Sequence, residues 1–282
     1  MSRRTSPPPD NHVHSEWSWD AENGSMERTC ARAVEIGLPA IAFTEHADFT
    51  PWVVAADDPA PPPPSLVDAD GLFSPPGLDV DGYLACLQVC RDKFPDLRIM
   101  SGVELGEAHW HRRAAADLLS GDRFDRVLGS LHALQSNGRY VEPSQLFREQ
   151  PVAEVVWGYL AEVTRLIEQS DAFEVLAHID YVLRYLPADA GPFDPTAFED
   201  EFRTALDALA RSGRALEVNT RLPLHAQVVR WWYDVGGEAV TFGSDAHEPA
   251  MLATGFSSAA AMVEAAGFHP GRHPYDFWRR HR

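Results

Sequence analysis

The chain has 282 residues, of which 45% are hydrophobic and 23% are charged. This composition is typical of a globular protein and excludes a wholly disordered chain or a collagen-like fibre. The 24 Lys and Arg residues against 42 Asp and Glu residues give a net charge of −18, which argues against binding to long nucleic acids or to anionic membranes.

Short apolar strands alternate with amphipathic helices along nearly the whole chain. Strands are predicted at residues 11–15, 40–44, 97–102, 126–130, 173–177, 215–218 and 239–243. Helices are predicted at residues 26–36, 83–93, 112–119, 153–169, 196–212, 224–235 and 249–265. This alternation predicts an α/β fold with a parallel sheet, and about seven repeats favour a closed barrel that forms one domain over residues 1–282.

One segment interrupts this rhythm. Residues 50–82 contain prolines 51, 59, 61–64, 75 and 76, so we expect an insertion loop without regular structure there. Because it follows a predicted strand end, it either forms a lid or wall over a site or is a flexible insertion without a role.

The chain start and the cysteines predict a cytoplasmic protein. No apolar run reaches the roughly 18 residues that a membrane helix needs. Residues 1–10 lack the apolar core of a secretory signal, and we expect a flexible tail there. Cys30, Cys86 and Cys90 are too few for a disulfide framework and are expected to be small apolar residues in a reducing compartment.

Histidines and carboxylates occur within the first predicted strand and directly after five others. They are His12, His14, His46, Glu104, His132, His178, Asp245 and His247. In a parallel barrel the carboxyl ends of the strands share one face, so we expect these side chains to converge at one site.

Two His-x-His pairs are present, and their contexts differ. Residues i and i+2 of a strand point to one side, about 6–7 Å apart, which suits His12 and His14 to a common metal ion. On a helix such residues diverge, so His109 and His111 are expected at the surface or behind the ligands.

The mixture of imidazole and carboxylate suits zinc, iron or manganese. Eight donors are too many for one ion, so we predict two or three divalent metal ions that share a bridging carboxylate. Such clusters activate water and hold phosphoryl oxygens, which favours phosphoester hydrolysis over single-metal deamidation or decarboxylation.

At these residues the chain resembles the PHP (polymerase and histidinol phosphatase) superfamily, and its histidinol-phosphate phosphatase branch in particular. The likeness runs from His12 to His247. It implies a distorted (β/α)7 TIM-like barrel with a trinuclear metal site at the carboxyl ends of the strands. It also implies a phosphatase, and for this branch it implies histidinol phosphate as the substrate, in histidine biosynthesis.

The resemblance assigns metal ligands residue by residue. The first ion would be held by His12, His14, Glu104 and Asp245, the second by Glu104, His132 and His178, and the third by Asp20, His46 and His247. Asp20 stands where some members have histidine, and its alternative role is to cap the following helix. Glu45 replaces a common aspartate and is expected to face away from His46.

The resemblance also places Arg184 and Arg221 at the phosphate. A surface salt bridge is the alternative for Arg184, and Arg221 departs from the usual small-residue continuation of its motif. The expected mechanism is in-line attack on phosphorus by a hydroxide that bridges two metals. The leaving group would receive its proton from Asp245, His247 or metal-bound water.

Three functions remain open at this point. The first is a phosphatase of a small phosphorylated substrate such as histidinol phosphate. The second is a phosphoesterase that acts on nucleoside phosphates or oligonucleotide ends. The third is a non-catalytic, metal-stabilised barrel that binds a ligand. The sequence leaves the oligomeric state open.

Overall fold

The computed structural model describes residues 7–55 and 61–280. The strands in these ranges are β1 (Asp10–Val13), β2 (Ala40–Ala47), β3 (Trp52–Val53), β4 (Leu72–Phe73), β5 (Arg98–Gly106), β6 (Arg126–Ser130), β7 (Leu134–Ser136), β8 (Arg139–Val141), β9 (Val175–Leu176), β10 (Ala215–Asn219), β11 (Ala239–Gly243), β12 (Phe268–His269) and β13 (Trp278–Arg280). The α-helices are α1 (Met26–Ile36), α2 (Val80–Lys93), α3 (Arg112–Leu119), α4 (Pro143–Glu149), α5 (Val152–Gln169), α6 (Glu199–Ser212), α7 (Ala226–Asp234) and α8 (Phe256–Ala266).

Seven parallel strands form the centre of the molecule in the order β1-β2-β5-β6-β9-β10-β11. The sheet curls until its first strand meets the chain that follows its last parallel strand. The Asp245 N–H donates to the His12 carbonyl at 2.8 Å, and the His14 N–H donates to the Ala246 carbonyl at 2.9 Å. The predicted distorted seven-stranded barrel is therefore confirmed, with β13 and β12 added antiparallel beyond β11.

Local sequence signals fix the helices around this barrel. Helix α1 begins after Ser25, whose hydroxyl accepts from the Arg28 N–H, and ends at Gly37, which adopts a left-handed φ of 73°. These are ordinary start and stop signals of a helix. Helices α5 to α8 pack their apolar faces on the barrel in one large core, and α1 and α2 pack on β2 and β5 in a second core.

The segment 50–82 is more ordered than predicted. Strands β3 and β4 pair antiparallel, and β3 also joins β8 in a four-stranded sheet of order β4-β3-β8-β7. The contact between Trp52 and Phe73 stabilises this sheet, because both side chains are buried and their rings are 4.4 Å apart. The prolines lie outside the paired residues, so the expectation that no regular structure forms was wrong for β3, β4 and a 3-10 turn at Pro64–Leu66.

The structure describes only part of the segment that was predicted to be an amino-terminal tail. The tail expected over residues 1–10 lies mostly outside the described residues, but Asp10 is buried and begins β1. Among the residues that the structure describes, no helix has the length and apolar character needed to cross a membrane.

Candidate metal centre

Two histidines lie side by side at the carboxyl end of β1. His12 and His14 are both fully buried, and their Nε2 atoms are 3.1 Å apart. Alternate residues of an extended chain point to one side, which brings both imidazoles into the mouth of the barrel.

Glu104, on the longest strand β5, lies at the centre of the imidazoles. Its Oε1 is 2.7 Å from Nε2 of His178 and 3.2 Å from Nε2 of His132. Its Oε2 is 3.2 Å from Nε2 of His12 and 3.3 Å from Nδ1 of His46. One buried carboxylate therefore faces histidines that follow or belong to four different strands.

A second group of donors lies beside this centre. The Oδ2 atom of Asp20 is 2.8 Å from Nε2 of His247 and 3.4 Å from Nε2 of His46. The ring of His14 lies 4.3 Å from each of these two imidazoles, centroid to centroid. Asp20 thus faces the histidine cluster, and the alternative of a helix cap does not describe its contacts, because Ser25 caps α1.

Asp245 completes the cluster from the end of β11. Its backbone has a φ of 53°, an uncommon conformation for a residue with a side chain. Its Oδ1 lies 3.5 Å from Nε2 of His14 and 3.9 Å from Nε2 of His12. The strained backbone therefore accompanies a carboxylate that reaches back to β1.

The donor atoms form four overlapping triads within which all distances are below 4.8 Å. The triads are His12–His14–Asp245, His12–Glu104–His178, His46–Glu104–His132 and His14–His46–His247. Every predicted metal-binding residue thus lies in one continuous cluster, with Asp20 attached through His46 and His247.

Neighbouring charges shift the pKa values of these buried groups in opposite directions. Burial lowers the pKa of His12, but Glu217 and Glu104 outweigh it and hold that pKa well above its usual value. Burial and the charges of His46 and His247 lower the pKa of His14 to about 3. The carboxylates thus favour positive charge among these imidazoles, and divalent cations would supply that charge in place of protons.

The positions and chemistry of the clustered side chains fit divalent cations. The buried atom Asp20 Oδ1 has no hydrogen-bond partner among the described residues, and Glu104 Oε2 makes no hydrogen bond of good geometry there, although two imidazole nitrogens lie 3.2 and 3.3 Å away. A buried carboxylate oxygen without a partner is costly, and a coordinated cation removes that cost. Imidazole nitrogens with carboxylate oxygens are the donor set of zinc, iron and manganese sites.

Three buried carboxylates behind the cluster were not among the predicted site residues. Glu217 accepts from Nδ1 of His12 at 2.7 Å and from the His178 N–H at 2.6 Å. Asp48 lies 3.0 Å from Nδ1 of His132 through its Oδ1, and Glu107 accepts from the His132 N–H at 2.6 Å. The available signal was an acidic residue inside, or just after, an apolar strand, since such a charge needs a buried partner.

Glu45 lies behind the cluster, as its place on β2 predicted. It accepts hydrogen bonds from the hydroxyls of Ser15 at 2.5 Å and Ser18 at 2.6 Å. The Ser18 hydroxyl is also 2.9 Å from Nδ1 of His14. Glu45 therefore supports His14 through Ser18.

The two predicted phosphate-binding arginines reach the same cluster. The Nη2 atom of Arg184 donates to Oδ2 of Asp245 at 2.5 Å and to Oδ1 of Asn219 at 3.3 Å. The Nη1 atom of Arg221 lies 2.8 Å from Nδ1 of His247. Neither arginine forms an ion pair away from the cluster. Both lie next to Asp245, and Arg221 also contacts His247.

The second His-x-His pair lies elsewhere. His109 is buried, and its Nε2 is 2.8 Å from Oε1 of Glu162 on α5. His111 precedes α3 and contacts the Thr50 hydroxyl at 2.8 Å. The pair diverges as expected, although His109 packs in the interior and not at the surface.

A cavity of about 810 Å³ opens above the donor cluster. The donors His46, Glu104, His132 and His178 and both arginines line it. Trp52 and Pro61–Pro64, from the segment 50–82, line it as well. That segment is therefore a wall of the cavity, which was one of its two predicted roles.

The comparisons with known proteins agree with this site. A model of the PHP domain matches residues 10–221, and the chain belongs to this family. It is 25% identical over 268 residues to a histidinol-phosphatase of Lactococcus lactis subsp. lactis, covering 92% of this chain and 91% of that protein. It is also 25% identical over 266 residues to a probable histidinol-phosphatase of Thermotoga maritima, with 92% of each chain covered.

Solved structures share the fold. The crystal structure of histidinol phosphate phosphatase from Lactococcus lactis with zinc, L-histidinol and phosphate matches with a TM-score of 0.77 at 24% identity, over 93% of this chain and 95% of that one. A putative histidinol phosphatase from Listeria monocytogenes matches with a TM-score of 0.72 at 19% identity, over 89% and 99%. The predicted membership of the PHP superfamily is confirmed, and these relatives agree with the predicted class, a metal-dependent phosphatase.

Proposed function

We propose that this chain is a cytoplasmic, single-domain phosphomonoester hydrolase that uses two or three divalent metal ions and acts on a small substrate of the histidinol phosphate type. The observation that carries the proposal is the union, in one cavity, of the Glu104 cluster with two arginines. Two guanidinium groups beside a cluster that can hold metal ions suit a phosphate dianion, even in a protein of net charge −18.

The ligand sets follow the predicted assignment. The first ion would be held by His12, His14, Glu104 and Asp245, the second by Glu104, His132 and His178, and the third by Asp20, His46 and His247. Zinc, iron and manganese all suit these donors. Bound ions would activate water as the nucleophile and would offset charge on the phosphoryl oxygens.

The chain's own residues bind and orient the phosphate. Arg184 is mostly buried and presents its guanidinium beside Asp245, while Arg221 is partly exposed at the cavity wall. Guanidinium groups grip phosphate through two parallel hydrogen bonds, so these arginines hold the phosphoryl group as its charge grows. Because Asp245 and His247 serve as metal ligands in this assignment and Asp245 accepts a hydrogen bond from Arg184, the proton for the leaving oxygen would come from water at the site.

The test pairs elemental analysis with a monoester panel. Protein purified without added metal should carry more than one equivalent of zinc, iron or manganese, and should release phosphate from histidinol phosphate. Chelation should abolish release and metal should restore it. His132→Ala should lose activity, whereas His273→Ala, at an exposed histidine outside the cavity, should keep it.

The panel also separates the alternatives. Preferred turnover of nucleoside monophosphates or of oligonucleotide ends would replace the proposed substrate within the same chemistry. A full metal load without release of phosphate from any monoester would refute the phosphatase and leave a metal-stabilised binding barrel.

A further inference from the structure

The barrel closes at a seam between β1 and the chain that follows β11. Among the described residues no strand ladder joins β1 to β11, and the two sides meet in a single bridge between Val13 and Ala246. The ligands proposed for the first ion lie on both sides of this seam, with His12 and His14 on the β1 side and Asp245 on the β11 side. The contacts that hold the seam therefore also set the distances between these donors.

The side chain of Asp10 makes a further link across the seam. Its Oδ1 accepts from the Ser244 N–H at 3.0 Å and lies 3.4 Å from the N–H of His12. Its Oδ2 accepts from the Ser244 hydroxyl at 2.6 Å and from the Ala253 N–H at 3.1 Å. Asp10 is fully buried, so these donors replace the water that its carboxylate loses on folding.

The contacts of Asp10 fall on two strained points of the chain. Ser244 directly precedes Asp245, whose φ is 53°, and Ala253 has the same φ. A left-handed backbone is unfavourable for a residue with a Cβ and persists only where the surrounding structure holds it. One carboxylate thus holds the residue before the first strained position and the strained residue itself at the second.

The strained conformation of Asp245 is the one that serves the site. In this conformation Oδ1 lies 3.5 Å from Nε2 of His14 and 3.9 Å from Nε2 of His12, while Oδ2 accepts from Arg184. We propose that Asp10 is a positioning residue that holds Asp245 in this conformation and so keeps the two sides of the first metal site together. Asp10 does not line the cavity and acts through Asp245. This inference rests on the ligand sets of the proposed function.

The other ions depend less on the seam. His132 and His178, which would hold the second ion, follow β6 and β9, and these strands pair inside the continuous part of the sheet. His247, a donor to the third ion, lies beyond the seam bridge, which Asp10 does not contact. A positioning role of Asp10 therefore predicts a selective loss at the first ion, whereas a merely stabilising role predicts no selectivity.

The test is competition for zinc between the protein and a chelator of known affinity, with wild type and Asp10→Asn. Asparagine keeps the size of the side chain, but its NH₂ would face the N–H of either Ser244 or Ala253, donor against donor. One equivalent of zinc should bind at least about tenfold more weakly in the variant, while the remaining equivalents keep their affinity. Phosphate release should fall at limiting zinc and recover in excess zinc, because the ligands themselves are intact.

The matched control is Glu162→Gln, which changes another buried carboxylate. Glu162 contacts His109 at 2.8 Å and Trp110 at 3.2 Å and lies outside the cavity. This variant should bind every equivalent of zinc with wild-type affinity. Wild-type zinc binding in Asp10→Asn, or an equal weakening of all equivalents there, would overturn the inference.

Ser244→Ala provides the test if Asp10→Asn folds poorly. It removes only the hydroxyl that donates to Asp10 and leaves the N–H bond in place, so it should weaken the same single equivalent of zinc. In that case, unchanged zinc binding in Ser244→Ala would overturn the inference.

Zinc binding also separates this inference from the proposed phosphatase. If zinc binds but no monoester is hydrolysed, the phosphatase is refuted and the zinc titration still decides the role of Asp10. A chain that binds no zinc, iron or manganese would overturn both proposals.

Discussion

The Nδ1 atom of His12 lies 2.7 Å from Oε1 of Glu217, and both residues are buried. The second carboxylate oxygen of Glu217 accepts from the His178 N–H at 2.6 Å and from the Asn219 side chain at 3.2 Å. One side chain of β10 therefore fixes the ring of one proposed metal ligand and the backbone of another. Such partners set the tautomer and direction of a metal-binding histidine.

Glu217→Gln should weaken metal binding by about 10- to 100-fold, the usual cost of losing such a partner. A glutamine keeps the shape, but its NH₂ would meet a donor, either at His12 or at the His178 N–H. The measurement is competition between the protein and a chelator of known affinity.

Glu174→Gln is the control for this variant, because Glu174 lies outside the cavity beside Arg126 and is partly exposed. Its metal affinity should equal that of the wild type. An unchanged metal affinity in Glu217→Gln would show that Glu217 does not position the donors.

Most of the barrel was predictable because its signals are local. Parallel strands buried on both faces show up as short apolar runs, and most amphipathic helices between them were found with small errors at their ends. The prediction of a helix from residue 249 was wrong, because α8 begins only at Phe256, and α4 was not predicted. The small sheet was missed because β3 and β4 have two residues each and are held by the distant contact of Trp52 with Phe73. No periodicity is visible over two residues.

The donor cluster was predictable for a similar reason. Each donor follows a strand or lies on one, so topology alone brings His12, Glu104 and His132 together. The supporting residues were harder to find, because an acidic residue in or after an apolar strand shows that Glu217 and Asp48 need a buried partner but not which histidine that partner is.

Tyr83 on α2 joins two barrel strands through its hydroxyl. The hydroxyl donates to the Phe43 carbonyl and accepts from the Gly102 N–H, both at 2.8 Å, and the residue is fully buried. Tyr83→Phe leaves these two backbone groups without that partner and should lower the free energy of unfolding by about 1–3 kcal/mol. Urea unfolding of the metal-loaded protein measures it.

Tyr275→Phe is the comparison for Tyr83→Phe, since Tyr275 is only partly buried and packs on Arg98. We expect a change within about 0.5 kcal/mol there. Equal stability losses in the two variants would mean that the hydroxyl bridge of Tyr83 contributes little.

Glu162 should make stability depend on pH. Burial raises its pKa, but the hydrogen bond from His109 and the charge of Arg165 outweigh burial and lower it. A carboxyl whose pKa is lower in the folded state stabilises the protein above its unfolded value, and that contribution is lost as the pH falls through the folded value. Glu162→Gln should therefore cost about 1 kcal/mol at pH 7 and less near pH 3.

Unfolding of wild type and Glu162→Gln in matched buffers measures the difference at each pH. Glu168→Gln, on the same helix at an exposed position, should show no such trend. A difference that stays constant from pH 7 to pH 3 would contradict the assigned pKa direction.

Gly243 ends β11 where two site residues leave no room for a side chain. A Cβ atom there would lie 2.0 Å from Oε1 of Glu217 and 2.6 Å from the Cβ of His12. Gly243→Ala should therefore displace the His12–Glu217 pair, lower the free energy of unfolding by about 1–3 kcal/mol and reduce the bound metal.

The matched substitution is Gly158→Ala in α5, where an added Cβ has no atom within 4 Å. Alanine is the better helix former, so this variant should gain about 0.5–1 kcal/mol and keep its metal. Urea unfolding and elemental analysis of both variants separate the two effects. If Gly243→Ala retains wild-type metal content and stability, the pair can shift without loss, and close packing at the end of β11 does not determine the geometry of the metal centre.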